Sequence, residues 1–284
     1  MTAKPKARTY VRTKRVAVVV PAYKEQMSAD ESVSVRHLRH FLGGYDKYLV
    51  SPDKLNFSLE GFEVKRFSHE FFYNPLTYSA LLLSRDFYQT FNEYEFILIY
   101  QLDALVFSDQ LLEWCERGWD YIGAPWIKCK DVDFLEESRV GNGGFSLRRV
   151  ESFLRVIDSP GYQLELDRYQ PALRGEIAPQ KKEPEPGRWR RIARRLKLVN
   201  PQEAPLSNIV PQADTFGMNE DYFWSFKARN YYPDFKIAPV ADGLRFSFEV
   251  VPRQCYELNN RQLPFGCHAW NRYDRSFWKP FLLR

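Results

Sequence analysis

The chain has 284 residues, 44% hydrophobic and 27% charged; this is enough for one large domain or two small ones around a substantial core, and it excludes a disordered chain. Its net charge of +5 is concentrated in an N-terminal stretch (Lys4, Lys6, Arg8, Arg12, Lys14, Arg15) and in Arg188–Lys197. The remainder is mildly acidic and carries no recognition motif, which argues against a nucleic-acid binder.

Residues 1–14 read as a flexible basic arm, and 15–284 as one domain. The run Val16–Val20 is apolar and mostly β-branched, the pattern of a central parallel strand buried on both faces. Asp30–Leu42 predicts a helix capped by Asp30 and stopped at Gly43-Gly44. Strands are expected at Tyr48–Ser51 and Phe62–Phe67, and one long helix at Pro75–Phe91. A second apolar strand, Glu95–Leu102, is followed by a helix over Ser108–Arg117, capped by Ser108, and by a short strand at Tyr121–Gly123. The stretch 160–211 is rich in Pro, Lys, Arg and Glu and reads as an insertion. Within it, 188–199 has the spacing of a basic amphipathic helix: either a docked edge element or a peripheral contact with an anionic membrane face. Beyond it come a helix from Asn219 through Lys227, a strand at Phe235–Ala238 and alternation over Leu244–Val250. Alternating strands and helices predict an α/β domain with a mainly parallel sheet covered on both faces, and ligands in such sheets sit beyond the carboxyl ends of the strands. The places so singled out are Pro21–Glu25 and Asp103.

Four scattered cysteines without a CxxC pair read as reduced thiols in a cytoplasmic protein, and no apolar stretch approaches the ~20 residues that span a bilayer.

Four constellations carry chemistry. In Tyr100-Gln101-Leu102-Asp103 a carboxylate leaves a buried strand; it either caps a turn or meets a divalent cation such as Mn²⁺ or Mg²⁺ holding a diphosphate. In Gly141-Asn142-Gly143-Gly144 the glycines allow tight turns and close approach to main-chain amides; a hairpin or bulge is the competing reading. Glu220 and Asp221 open an aromatic helix, as caps favoured by the helix dipole or as a general base. His268, between Cys267 and the Ala269-Trp270 pair, is a structural histidine or a metal or phosphate partner.

In this order, VAVVVPAYKE (Val16–Glu25), YQLDALVF (Tyr100–Phe107), YIGAPW (Tyr121–Trp126), GNGGFSLR (Gly141–Arg148), NEDYFW (Asn219–Trp224) and GCHAW (Gly266–Trp270) resemble the GT-A class of glycosyltransferases. They look most like a bacterial-type glycosyltransferase-like family catalogued as a domain of unknown function. The resemblance implies that Pro21, Ala22, Tyr23 and Glu25 hold the nucleotide base and ribose. It gives Asp103 the place of the last carboxylate of a DxD motif, with Gln101 in place of its first Asp. It puts Asn142, Gly143 and Gly144 near the donor sugar and acceptor, makes Asp221 of the Glu220–Asp221 pair the catalytic base of an inverting transfer, and assigns His268 to the metal site. A nucleotide-sugar donor, UDP-linked by class, and a glycan, lipid-linked or protein acceptor follow from it, as does a place in glycan or cell-surface polysaccharide synthesis. Gln101 favours the rival reading, a non-catalytic nucleotide-sugar-binding scaffold. A nucleotidyltransferase ranks behind both, because Pro21–Glu25 is not a Gly-rich phosphate loop.

Overall fold

A computed structural model describes residues 14–130, 132, 135–164 and 219–283. The strands are β1 (Lys14–Pro21), β2 (Asp46–Pro52), β3 (Glu63–Phe67), β4 (Tyr94–Tyr100), β5 (Leu105–Val106), β6 (Tyr121–Gly123), β7 (Pro125–Trp126), β8 (Arg139–Val140), β9 (Phe145–Arg149), β10 (Ser247–Phe248) and β11 (Gly266–Cys267). The main sheet has the order β3-β2-β1-β4-β9-β6. Its first four strands are parallel, whereas β9 runs antiparallel to both β4 and β6. The expected α/β domain with a mainly parallel sheet is therefore what forms.

The helices are α1 (Ala29–Leu42), α2 (Pro75–Leu82), α3 (Arg85–Thr90), α4 (Leu111–Glu116), α5 (Val150–Ile157), α6 (Glu220–Phe226), α7 (Ala228–Tyr231), α8 (Val240–Phe246), α9 (Pro252–Leu258) and α10 (Arg275–Trp278). Period-two alternation splits the central strands between two cores. Ala17, Val19, Ile97 and Ile99 pack with Tyr88, Phe153 and Trp224 of α3, α5 and α6. Val18, Val20, Phe96 and Leu98 pack on the opposite face with Leu38, Leu42 and Trp114 of α1 and α4. This double burial is why β1 and β4 read as unbroken apolar runs.

Several local expectations are corrected. Lys14 belongs to β1, its backbone N–H donating to Glu93 O. Ser28, one residue before the helix, caps α1: its hydroxyl accepts from Glu31 N while Glu31 Oε2 accepts from Ser28 N at 2.7 Å. That reciprocal box outcompetes Asp30, which instead pairs with Arg275. The single helix expected over Pro75–Phe91 is two, because the Ser84 hydroxyl donates to Leu81 O and accepts from Phe87 N, ending one helix and starting the next. Ser108 does not cap α4; its hydroxyl donates to Gln110 Oε1, and the helix begins at Leu111. Phe235–Ala238 makes a single bridge, Tyr121 to Ile237, rather than a strand. The alternation at Leu244–Val250 resolves into the end of α8 and the two-residue β10. Most of the insertion and all of the 188–199 helix lie outside the described residues, as do residues 1–13.

A second, three-stranded sheet, β10-β11-β5, is formed by segments far apart in sequence. Phe248 pairs with Cys267, and Cys267 with Leu105. The register places Glu249 and His268 next to each other and beside the Asp103 turn.

Candidate active site

The turn after β4 presents its polar residues at the carboxyl edge of the main sheet. Gln101 N donates to Gly144 O at 2.9 Å, and Trp270 N donates to Asp103 O at 3.1 Å, so the Gly-rich segment and the C-terminal segment are both fastened to it. His268 Nε2 lies 3.2 Å from Asp103 Oδ1 and 3.0 Å from Gln101 Oε1, while Nδ1 is 3.0 Å from Glu249 Oε1. Burial disfavours the imidazolium, but Asp103 and Glu249 outweigh it and raise the His268 pKa to about 10. Burial likewise opposes ionisation of Asp103; His268 and then Arg272 overcome it and lower that carboxyl's pKa. Asn142 completes the cluster: its Nδ2 donates to Glu249 Oε1 at 2.7 Å and its Oδ1 accepts from Gly144 N at 3.1 Å.

Glu220 and Asp221 sit side by side at the start of α6 and have different environments. Both oxygens of the buried Glu220 are taken by Arg148, at 2.9 and 3.0 Å. Arg148, fully buried, also donates to Tyr88 Oη, Ser146 Oγ and Gly143 O. Asp221, only partly buried, has no basic partner among the described residues; its Oδ1 accepts from Tyr222 N at 2.8 Å. Burial, then the neighbouring charges of Glu220 and Glu249, push its pKa up to about 7.

The two glycines between these centres are set by sterics. A Cβ on Gly143 would lie 2.2 Å from Glu220 Oε1 and 3.1 Å from Asp221 Cβ; one on Gly144 would lie 2.1 Å from His268 Nε2. The close approach that the glycines permit is thus made by the protein's own Glu220, Asp221 and His268 side chains. Adjacent residues therefore have the carboxylate pair against one and the imidazole against the other. Among the described residues no three His, Cys, Asp or Glu side chains form a metal-binding group.

The family model described as "Protein of unknown function (DUF5672)" matches residues 61–268, which include the Asp103 turn, the Gly-rich segment, the Glu220–Asp221 pair and His268. The chain belongs to this family. No curated protein sequence matches the DUF5672 chain. Among solved structures it is similar to the galactosyltransferase LgtC in complex with donor and acceptor sugar analogs (TM-score 0.47, 11% identity, 93% of each chain covered). It is also similar to the apo-form glycosyltransferase GlyE of Streptococcus pneumoniae TIGR4 (TM-score 0.43, 12% identity, 96% of this chain) and to the mannosyltransferase Ktr4p of S. cerevisiae (TM-score 0.36, 8% identity, 58% of this chain and 64% of that one). The chain spans 61% of the length of GlyE.

At the DUF5672 chain's first loop, Pro21 closes β1 and Ala22 is buried, its N–H donating to Val50 O. Tyr23 is 56% exposed, and Glu25 is exposed beside it. Tyr78, from α2, lies between this loop and the cluster, close enough to Glu220, Arg148 and Tyr23 for their charges to act on it. Tyr78, Arg148, Glu249 and Arg272 were not singled out by the sequence patterns. Arg148 ends the quoted GNGGFSLR motif, and an arginine facing inward on a central strand was a readable signal for a buried acidic partner. Tyr78, Glu249 and Arg272 gave no local signal.

Proposed function

We propose that the protein is a metal-assisted glycosyltransferase that moves a sugar from a nucleotide-sugar donor, UDP-linked on our reading, to an acceptor hydroxyl with inversion. The observation that carries the proposal is the placement of two complementary centres about Gly143 and Gly144: the Asp103–His268–Glu249 cluster and the unpaired, raised-pKa carboxyl of Asp221.

Asp103 and the Gln101 amide oxygen are the residues that would hold Mn²⁺ or Mg²⁺, with His268 a further donor once its Nε2 gives up the proton that Asp103 and Glu249 stabilise without the ion. Their fit rests on the convergence of Nε2 and Oδ1 at 3.2 Å and on Glu249 at Nδ1, the carboxylate partner that fixes tautomer and orientation in metal-binding histidines. When bound, the ion neutralises the departing nucleoside diphosphate. Asp221 takes the proton of the acceptor hydroxyl. Its oxygen attacks the anomeric carbon as the bond to the diphosphate oxygen breaks on the opposite face, and the electron pair leaves with the nucleoside diphosphate. A pKa near 7 suits this base, since Brønsted behaviour favours a catalytic group poised near the working pH. Glu220, held by Arg148 through both oxygens, positions the helix start and keeps the Asp221 pKa high. Tyr23 offers an exposed aromatic face for the nucleotide base. The acceptor is a hydroxyl of a glycan, a lipid-linked glycan or a protein, in glycan or polysaccharide synthesis. Among the described residues no helix is long and apolar enough to cross a membrane.

Calorimetric titration with UDP, then GDP, each with and without Mn²⁺, on the wild type and Asp103→Ala tests the donor site. Metal-dependent binding of one nucleotide, lost in the variant, is the expected outcome; binding indifferent to both Mn²⁺ and Asp103 overturns it. Retained anomeric configuration in the product, read by NMR, overturns inversion. Gln101, an amide where a second carboxylate would strengthen the metal site, favours a binding scaffold as the second reading; nucleotide binding with no transfer to any acceptor would establish it.

A further inference from the structure

A cleft of about 440 Å³ opens beside the cluster, lined on one side by Val250, Pro252 and Gln254 and on the other by Arg272, Tyr273 and Asp274. Its lining residue Val250 directly follows Glu249, and its Arg272 lies two residues after Trp270, whose N–H is bonded to Asp103 O. Its Val250 wall belongs to the same apolar cluster as Tyr222, the neighbour of Asp221. The cleft therefore adjoins the Asp103–His268–Glu249 cluster through the segments that carry Glu249 and Trp270.

Its walls are held in strained backbone. Val251 and Asp274 both line the cleft and adopt the left-handed region at φ 51° and 47°, and Ala269, next to His268, does so at φ 51°. A β-branched residue there is a steric outlier, and such strain persists where surrounding structure enforces it, commonly at ligand sites. Charge in the cleft is uneven. Arg253 is taken by Asp274 at 2.6 Å and by Ser276. Arg272 is exposed, lies over the Tyr273 ring at 5.3 Å, and among the described residues has no carboxylate within ion-pair distance. Its charge nonetheless reaches Asp103. The cleft therefore joins an aromatic and apolar wall, suited to a sugar ring, to one uncommitted guanidinium, suited to a phosphate or carboxylate.

We propose that this cleft is the acceptor subsite and that its acceptor is an anionic sugar, phosphorylated or carboxylated, anchored by Arg272. The proposal rests on the glycosyltransferase reading above, and its test is separable from it. With the nucleotide site saturated by UDP and Mn²⁺, the full-length protein is titrated with N-acetylglucosamine 1-phosphate and, separately, with N-acetylglucosamine. The phosphorylated sugar is expected to bind about tenfold to a hundredfold more tightly, the range set by a hydrogen bond to a charged group. Arg272→Gln removes that difference at UDP and Mn²⁺ concentrations reset to saturate the variant, because Arg272 also stabilises the Asp103 carboxylate, and Val250→Trp, which fills the cleft, abolishes binding of both sugars. The proposal is overturned if the phosphorylated sugar is displaced by UDP, because the anion then belongs to the donor site. It is overturned equally if Arg272→Gln binds both sugars as the wild type does, or if neither sugar binds. Failure of nucleotide binding itself would instead strike the donor reading.

Discussion

Replacing Asp221 with Asn removes a charge that the fold tolerates at a cost. The folded carboxyl has its pKa pushed to about 7 by burial and by Glu220 and Glu249, against about 4 in an unfolded chain. The native state therefore binds more protons than the unfolded state between about pH 4 and pH 7, so the wild type loses stability as pH rises through that window and is flat above it. At about 1.4 kcal/mol per unit the full loss reaches about 4 kcal/mol, and the partial exposure of Asp221 brings it nearer to about 2 kcal/mol. Asp221→Asn does not titrate there, so urea unfolding should find it more stable than the wild type above about pH 7, with the difference shrinking toward pH 4. The same substitution removes the base and should lower kcat by about 10²–10⁴-fold. In the wild type, activity should rise with pH through an apparent pKa near 7. A variant that is no more stable at about pH 8, or that keeps its activity, refutes the assignment of a strained, functional carboxylate.

Arg148→Ala strands Glu220 in the core and frees Gly143 O, so chemical unfolding should show a loss of about 3–5 kcal/mol. Glu249→Gln leaves the His268 ring without its carboxylate partner; Mn²⁺ titration should show affinity about 10–100-fold weaker while the protein stays folded. Gly144→Ala drives a methyl into His268 Nε2, 2.1 Å away; metal-dependent nucleotide binding should disappear in calorimetry while stability falls by about 1–3 kcal/mol.

The sheet was legible because β1 and β4 are buried on both faces, which leaves an apolar run that no other element explains as simply. Asp103, Asp221 and His268 stood out as candidates because each is a polar residue beside an apolar segment, and the structure places Asp103 and His268 in contact. The division of labour inside Glu220–Asp221 was not, since two adjacent carboxylates look alike until Arg148, on another strand, engages one of them. Glu249 was hidden for a related reason. Its segment alternates like a strand, yet it opens as the end of α8, where Pro239 precedes the helix and Gly243 packs against Val140 and Gly123, and only Ser247–Phe248 is strand. The break at Ser84 and the cap at Ser28 show side-chain hydroxyls deciding boundaries that apolar spacing alone placed elsewhere.

The β10-β11-β5 sheet has a consequence for how the protein comes to life on the ribosome. Its strands pair Leu105 with Cys267, so the imidazole that faces Asp103 is synthesised long after Asp103 itself. A nascent chain can lay down the β3-β2-β1-β4 sheet, and even β9 against it, while the site still lacks His268 and Glu249. Contacts of such long sequence separation form late, after their loop-closure entropy has been met. Assembly of the Asp103–His268–Glu249 cluster therefore waits until the residues through His268 have been made and β11 has docked on β5.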